Sequence, residues 1–135
     1  MLLVNTYLGM SKIEGIGVFA RHAISAGTLI FKLDTRFDRL VPRDVYDALT
    51  GEPKNYLERY SYPYKKDEAL LVFEADDGKY MNHSERPNCE FPNGDDGFAL
   101  ADIAAGEELT CDYRLFFGDA LEMLGERNAQ IGKGA

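Results

Sequence analysis

Two polar, turn-rich segments carry most of the information in this chain: Asn82-His83-Ser84-Glu85-Arg86-Pro87-Asn88 and Gly106-Glu107-Glu108-Leu109-Thr110-Cys111-Asp112-Tyr113. A strand-like run from Phe98 to Ile103 lies between them. Buried polar side chains need hydrogen-bond partners, so segments this polar would be an unusual choice for plain scaffolding. We therefore interpret the two segments as parts of one functional site.

A third segment, Gly15-Ile16-Gly17-Val18-Phe19-Ala20, stands near the N-terminal end. In order, a GxG turn followed by apolar residues, an NHSxxPN segment and a GEELTxDY segment resemble the signature of SET-domain protein lysine methyltransferases. The resemblance covers about residues 11 to 117. It implies a mainly β fold of the SET, or β-clip, type, with several small sheets of short strands, a short helical insert, a C-terminal pseudoknot and a possible C-terminal helix.

The resemblance also implies a reaction, in which S-adenosylmethionine donates a methyl group to a lysine ε-amine of a basic protein or peptide. Tyr113 is the implied catalytic residue, since a phenol hydrogen-bonds without carrying a full charge at neutral pH. Tyr113, Asn82 and His83 are also implied to contact the cofactor. For His83 we expect the backbone to serve the cofactor and the ring to brace the knot. The substrate stays open between a histone-like tail, a ribosomal protein and other targets.

The first cofactor loop is implied to comprise Gly15, Ile16, Gly17, Val18 and Phe19. Missing β-carbons at its glycines would let backbone groups approach a ligand closely. The loop lacks the longer glycine spacing of dinucleotide-binding and phosphate-binding fingerprints, which disfavours phosphate cradling.

Aromatic residues are the candidates for the walls of the substrate channel. Tyr60, Tyr62 and Tyr64 alternate, so they would share one face of an extended segment. By the resemblance, Tyr62 lines the cofactor or lysine cavity, with core packing as the alternative. Phe116 and Phe117 would contact the lysine stem and its methylated cation, and core burial is again the alternative.

The chain departs from many family members in three features. Glu85 stands where they carry a zinc-binding cysteine, and no cysteine follows Cys111, so we predict that no metal is bound. The C-terminal helix, Phe116 and Phe117, or a second subunit in a homodimer would then close the channel. Cys111 replaces a usual Phe or Tyr in the channel, which predicts a pocket that tolerates di- and trimethylated lysine.

The overall composition sets broader limits. The 45% hydrophobic and 12% aromatic content argues against disorder, and no apolar run of about 20 residues exists to cross a bilayer. The opening residues, Met1 to Asn5, lack the features of a secretion signal, which predicts an intracellular protein, cytoplasmic by default, with a nuclear or chromatin location still compatible. A net charge of −8 opposes direct nucleic-acid binding and suits a basic peptide. Two cysteines, Cys89 and Cys111, predict free thiols in a reducing compartment.

Local patterns predict the secondary structure. Strands are expected at 2–4, 17–20, 28–31 and 70–74, helices at 42–49, 53–60 and 120–124, and a tight turn at 76–78. Two Ile-x-Ala-Gly units, ending at Gly27 and Gly106, predict similar turns in which glycine adopts a positive φ.

No composition break divides the chain, so we predict one SET domain over residues 1–135. By the resemblance its parts are an N-terminal β region (1–35), a variable insert (36–66), a C-terminal motif region (67–117) and a tail (118–135).

Two other functions stay open. A catalytically silent SET-like module that binds peptides or assembles complexes would keep the fold without the reaction. A metal-dependent hydrolase using His83, Glu85 and Asp112 is the third class, although it lacks a second well-placed histidine.

Overall fold

The computed structural model describes residues 1–117, apart from the side chain of Phe117. The strands within these residues are β1 (Thr6–Met10), β2 (Ile16–Ala20), β3 (Leu29–Lys32), β4 (Arg39–Pro42), β5 (Ser61–Pro63), β6 (Leu70–Phe73), β7 (Asn82–His83), β8 (Cys89–Glu90), β9 (Asp96–Ala99) and β10 (Glu108–Cys111). The helices are α1 (Arg43–Ala48), α2 (Gly51–Tyr60) and α3 (Arg114–Phe117), and a 3₁₀ turn covers Asp77–Tyr80. The predicted mainly β fold is confirmed.

The strands form three small sheets, in the orders β1-β2-β10-β7, β3-β9-β8 and β4-β6-β5. β10 lies between β2 and β7, antiparallel to the first and parallel to the second. Thr110 stands opposite Asn82, and Cys111 stands opposite His83. The two polar motif segments, distant in sequence, therefore lie side by side.

The Asn88 side chain helps to fasten the loop after β7 to β10. Asn88 accepts a hydrogen bond from the Thr110 N–H at 2.8 Å and donates one to the Glu108 carbonyl at 2.8 Å. These bonds satisfy backbone groups that the short β7–β10 pairing leaves unpaired. They also lie where the resemblance implies the pseudoknot.

The core lies directly behind this sheet. Val18 and Leu109, paired across β2 and β10, are both fully buried. Large buried side chains of the same cluster include Ile30, Phe31 and Ile103. Each stabilises the fold by about 1.5–3 kcal/mol through removal of apolar surface from water. The strands that carry the motifs are therefore anchored by the core itself.

The extreme N-terminal residues differ from the prediction. Leu2-Leu3-Val4 is not a strand, because only Leu2 forms an isolated bridge, opposite Phe31. The first strand is β1, which the sequence analysis missed and which pairs with β2 along its whole length. β1 is an edge strand with half-exposed or exposed residues, so it lacks the apolar alternation that identifies strands.

The two Ile-x-Ala-Gly turns, which end at Gly27 and Gly106, pair with each other. The strand predicted to run to Ile103 ends at Ala99, and Ile103 instead exchanges two backbone hydrogen bonds with Ile24, both at 2.8 Å. Gly27 and Gly106 both have φ of +83°, as predicted. This left-handed backbone is readily available to glycine alone.

The insert at 36–66 is only partly helical. It contains both predicted helices as α1 and α2, but it begins in β4 and ends in β5, which pair with the two edges of β6. Neither helix has a buried residue. The helices therefore lie on the surface, and the sheet connects the insert to the fold.

The turn predicted at 76–78 is present and continues to Tyr80 as the 3₁₀ turn. The 3₁₀ turn is capped by Asp76, whose carboxylate accepts a hydrogen bond from the Gly78 N–H at 3.2 Å. This turn leads directly into β7 and so determines where the strand with Asn82 and His83 begins.

The predicted helix at 120–124 and the tail at 118–135 lie outside the described residues. Within residues 1–117, no helix combines the length and apolar character needed to cross a membrane.

Candidate active site

The pairing of β7 with β10 places Tyr113 beside His83. The Tyr113 backbone N–H donates a hydrogen bond to His83 Nδ1 at 3.0 Å, and the two ring centres are 5.3 Å apart. The Tyr113 hydroxyl donates to the Met81 carbonyl at 2.5 Å. The phenol is therefore held at the peptide bond that joins Met81 to Asn82.

His83 serves as a hydrogen-bond acceptor in this arrangement. Because Nδ1 accepts from Tyr113, a neutral ring carries its proton on Nε2. Asp112 Oδ1 lies 3.8 Å from Nδ1, and the same carboxylate pairs with Arg114 at 2.5 Å. The Arg114 hydrogen bond is the main cause of the lowered pKa of Asp112. The ring thus fixes the backbone at Tyr113.

The Asn82 side chain ties the GxG turn to β7. Its amide donates to the carbonyls of Glu14 and Ile16, both at 3.1 Å, and to Glu108 Oε1 at 2.8 Å. Gly15 and Ile16 are exposed, and Gly15 has φ of +45°. Three segments that are distant in sequence therefore meet at one amide group.

Gly17 is needed for a close approach to a protein side chain. A β-carbon at this position would lie 2.1 Å from Glu108 Oε1. Glu108 also accepts a hydrogen bond from Ser11 Oγ at 2.9 Å. The missing β-carbon of Gly17 thus leaves room for the Glu108 carboxylate, which joins Ser11, after β1, to Asn82.

Val18 and Phe19 point away from this turn. Val18 is fully buried in the core. The Phe19 ring stacks on Tyr7 with centres 5.5 Å apart. The Val18 side chain is therefore unavailable to a cofactor, whereas the Phe19 ring is half-buried.

Tyr62 is linked to a buried carboxyl group. Its hydroxyl donates to Glu74 Oε1 at 2.9 Å. Burial raises the pKa of Glu74 to about 7, although the Tyr62 hydrogen bond acts in the opposite direction. Burial, followed by the nearby Glu74, raises the pKa of Tyr62. Tyr62 is therefore a neutral donor over the physiological pH range.

The three alternating tyrosines do not share one face. Tyr60 belongs to α2 and packs against Tyr56 and Tyr80, with ring centres 4.7 and 5.4 Å away. Tyr64 donates to Asp95 at 2.8 Å. The predicted alternation fails at Tyr60 because the helix extends to that residue.

The remaining channel candidates lie near Tyr62. Phe116 packs its ring against Tyr62 at 4.8 Å and against Phe91 at 5.4 Å, so it contacts both the site and the core. Cys111 is buried, and burial raises the pKa of its thiol well above the usual value, with a smaller contribution from Cys89. The Phe117 side chain lies outside the described residues.

Sequence reasoning missed two acidic residues. Glu108 lies within the GEELTxDY motif, and the pair of carboxylates after Gly106 was the signal that could have identified it. Glu74 had no signal, because an acidic residue that ends an apolar strand is usually exposed. Within residues 1–117, no group of three or more His, Cys, Asp or Glu residues is arranged to hold a metal ion.

A family model described as SET domain matches residues 15–114. The chain is similar to Histone-lysine N-methyltransferase trr of Drosophila melanogaster, with 33% identity over 125 residues that cover 85% of this chain and 5% of that protein. It is also similar to Histone-lysine N-methyltransferase ATX2 of Arabidopsis thaliana, with 30% identity over 123 residues that cover 80% of this chain and 11% of that protein. It therefore spans a small part of these relatives.

Similar solved structures come from Polycomb Repressive Complex 2 of Chaetomium thermophilum. In its autoinhibited conformation bound to S-adenosylmethionine, the identity is 26% and the TM-score 0.66, covering 93% of this chain and 17% of that one. The complex bound to GSK126 matches with 24% identity and a TM-score of 0.66, covering 91% and 17%. The family match over residues 15–114, on a fold of this type, shows that the chain belongs to the SET-domain family.

Proposed function

We propose that this chain is an S-adenosylmethionine-dependent protein-lysine N-methyltransferase and that residues 1–135 form one SET domain. The observation that carries the proposal is the double anchoring of Tyr113. Its backbone donates to His83 at 3.0 Å, and its hydroxyl donates to the Met81 carbonyl, beside Asn82. A phenol held this firmly suits a reaction that depends on orientation.

The exposed GxG turn and β7 together fit a cofactor. Asn82 is bonded to the turn carbonyls at 3.1 Å, and Ile16 is 51% exposed, so a ligand can lie across both segments. In the proposal, Gly15, Ile16 and the backbones of Asn82 and His83 hold it. S-adenosylmethionine supplies a methyl group on a sulfonium, which makes the methyl carbon electrophilic.

The substrate amine must be neutral to attack. A lysine pKa of about 10.4 means that deprotonation near pH 7.4 costs about 4 kcal/mol, at about 1.36 kcal/mol per unit. An apolar channel lowers the lysine pKa by desolvation, and the Tyr62 and Phe116 rings, 4.8 Å apart, supply such a wall. The Tyr113 hydroxyl then orients the amine nitrogen. A new N–C bond forms as the S–C bond breaks.

The proposed substrate is a basic protein tail. The net charge of −8 favours a basic partner, and the relatives are named as histone-lysine methyltransferases, so a histone tail is the first substrate to test. The names of these relatives give no support to the expected cytoplasmic location. A homodimer and the absence of nucleic-acid binding stay predictions.

The proposal for the number of methyl groups transferred rests on Cys111. Its side chain is smaller than the usual aromatic residue, and we propose that mono- and dimethylated lysine remain substrates. Mass spectrometry of the product checks this, and a product arrested at one methyl group on a good substrate would contradict it.

The experiment is methyl transfer from labelled S-adenosylmethionine to histone tails by the purified chain. Tyr113→Phe should slow transfer by about 100-fold or more, the effect of removing one well-placed donor, while cofactor affinity changes little. Tyr64→Phe is the matched control, since its hydroxyl contacts Asp95 away from this site. Cofactor binding without transfer to any basic protein would favour the silent module instead.

A further inference from the structure

A cluster of aromatic side chains surrounds one lysine on the surface beside the proposed active site. Tyr56 of α2, Phe73 of β6 and Tyr80 of the 3₁₀ turn form the cluster, which we call the aromatic triad. The Tyr56 and Phe73 ring centres are 6.0 Å apart. Lys79 Nζ lies 5.9 Å from the centre of Tyr56, 5.3 Å from Phe73 and 5.5 Å from Tyr80.

The triad provides the attraction that a cation needs. Each aromatic face carries negative charge density, and a cation within about 6 Å of a ring centre gains about 0.5–1 kcal/mol at an exposed site. Three faces from three separate elements converge on one ammonium group. Other lysine or arginine contacts with aromatic rings, such as Lys54 over Tyr46 at 5.0 Å, involve a single ring.

The triad does not provide hydrogen-bond acceptors for an unmodified ammonium group. A lysine ammonium has three N–H donors. Among residues 1–117, no hydrogen bond or ion pair to an acceptor involves Lys79 Nζ. The aromatic faces therefore supply attraction for the charge of Lys79 but no acceptor for its three N–H donors, which only water can then satisfy.

A methylated ammonium matches better. Each methyl group removes a donor and adds apolar surface, while the positive charge remains. The distances of 5.3–5.9 Å leave room for methyl groups between the nitrogen and the rings. We infer that the aromatic triad is a binding site for the methylated lysine of a peptide and that Lys79 occupies this site when the peptide is absent.

The surroundings of the triad allow this exchange. Tyr56 is 43% exposed and α2 has no buried residue, so the site is open to a peptide. Lys79 is half-buried, and its stem is flexible enough to leave. The net charge of −8 favours a basic peptide. The site does not depend on the proposed methyl transfer, but it would bind the product of that reaction.

The experiment measures binding of N-acetyl-trimethyllysine methylamide to the full chain by NMR shifts of the tyrosine rings. Two probes control for chemistry: the unmethylated lysine compound and the neutral tert-butyl isostere of trimethyllysine. Lys79→Met removes the competing ammonium and should tighten trimethyllysine binding about fivefold or more. The neutral isostere should bind about fivefold more weakly than trimethyllysine.

Variants in the Lys79→Met chain locate the site. Tyr56→Ala should weaken binding about fivefold, whereas Tyr46→Ala, which removes a single-ring contact, should not. Tyr113→Phe should also leave binding unchanged. Binding no tighter in Lys79→Met, equal binding of the isostere, or no detectable binding would overturn the inference. Loss of binding only in Tyr113→Phe would overturn it as well, while leaving the proposed methyl transfer intact.

Discussion

The buried carboxyl group of Glu74 allows a quantitative prediction. Glu74 is 5% exposed, and its Oε1 accepts a hydrogen bond from the Tyr62 hydroxyl at 2.9 Å. Burial disfavours the charged form and raises the pKa from 4.5 to about 7. Glu74→Gln keeps an oxygen that accepts from Tyr62 but cannot ionise. The variant therefore isolates the cost of the buried charge.

The magnitude and sign follow from linkage. A shift from 4.5 to about 7 corresponds to about 3 kcal/mol, at about 1.36 kcal/mol per unit. Because the folded-state pKa is the higher one, the folded state binds the proton more tightly than the unfolded state. The resulting stability is fully present below pH 4.5 and is lost as the pH rises through about 7.

The assay is urea unfolding of both chains between pH 4.5 and 8.5. The unsubstituted chain should lose about 3 kcal/mol of unfolding free energy relative to Glu74→Gln over this window. Glu52→Gln, at an exposed position of α2, is the matched control and should retain the pH dependence of the unsubstituted chain. If the curves of Glu74→Gln and the unsubstituted chain stay parallel, Glu74 does not carry a buried charge and the reasoning is refuted.

Three further predictions concern the site and its core. Asn82→Ala removes two N–H donors that three acceptors share and should lower the unfolding free energy by about 2 kcal/mol, at about 1 kcal/mol per donor; a loss below about 1 kcal/mol in urea unfolding would contradict this. Gly17→Ala would displace Glu108, whose Oε1 lies 2.1 Å from the new β-carbon, so calorimetry should show weaker binding of S-adenosylmethionine; unchanged affinity would argue against a role for this turn. Burial raises the pKa of Cys89 to about 12 and that of Cys111 well above normal, so a thiol reagent should label them only on unfolding, and rapid labelling of the native chain would disprove it.

Local chemistry made much of the fold readable from the sequence. The helices α1 and α2 follow from apolar spacing and acidic first turns, with Asp44 and Glu52 near their starts. The positive φ at Gly27 and Gly106 follows from the residue type. The motif segments ending at Tyr113 also identified the family, because their residues and their order can be read from the sequence without any tertiary contact.

Long-range pairing decided the rest. The amino-acid sequence alone determined which residues favour helices, strands, turns and a SET-type site. It did not determine that Asn82 bonds to Glu108, that Glu74 is buried against Tyr62, or that three aromatic faces surround Lys79. Most of these contacts join different strands, helices and turns, and their energies depend on burial and distance, which exist only once the sheets have assembled.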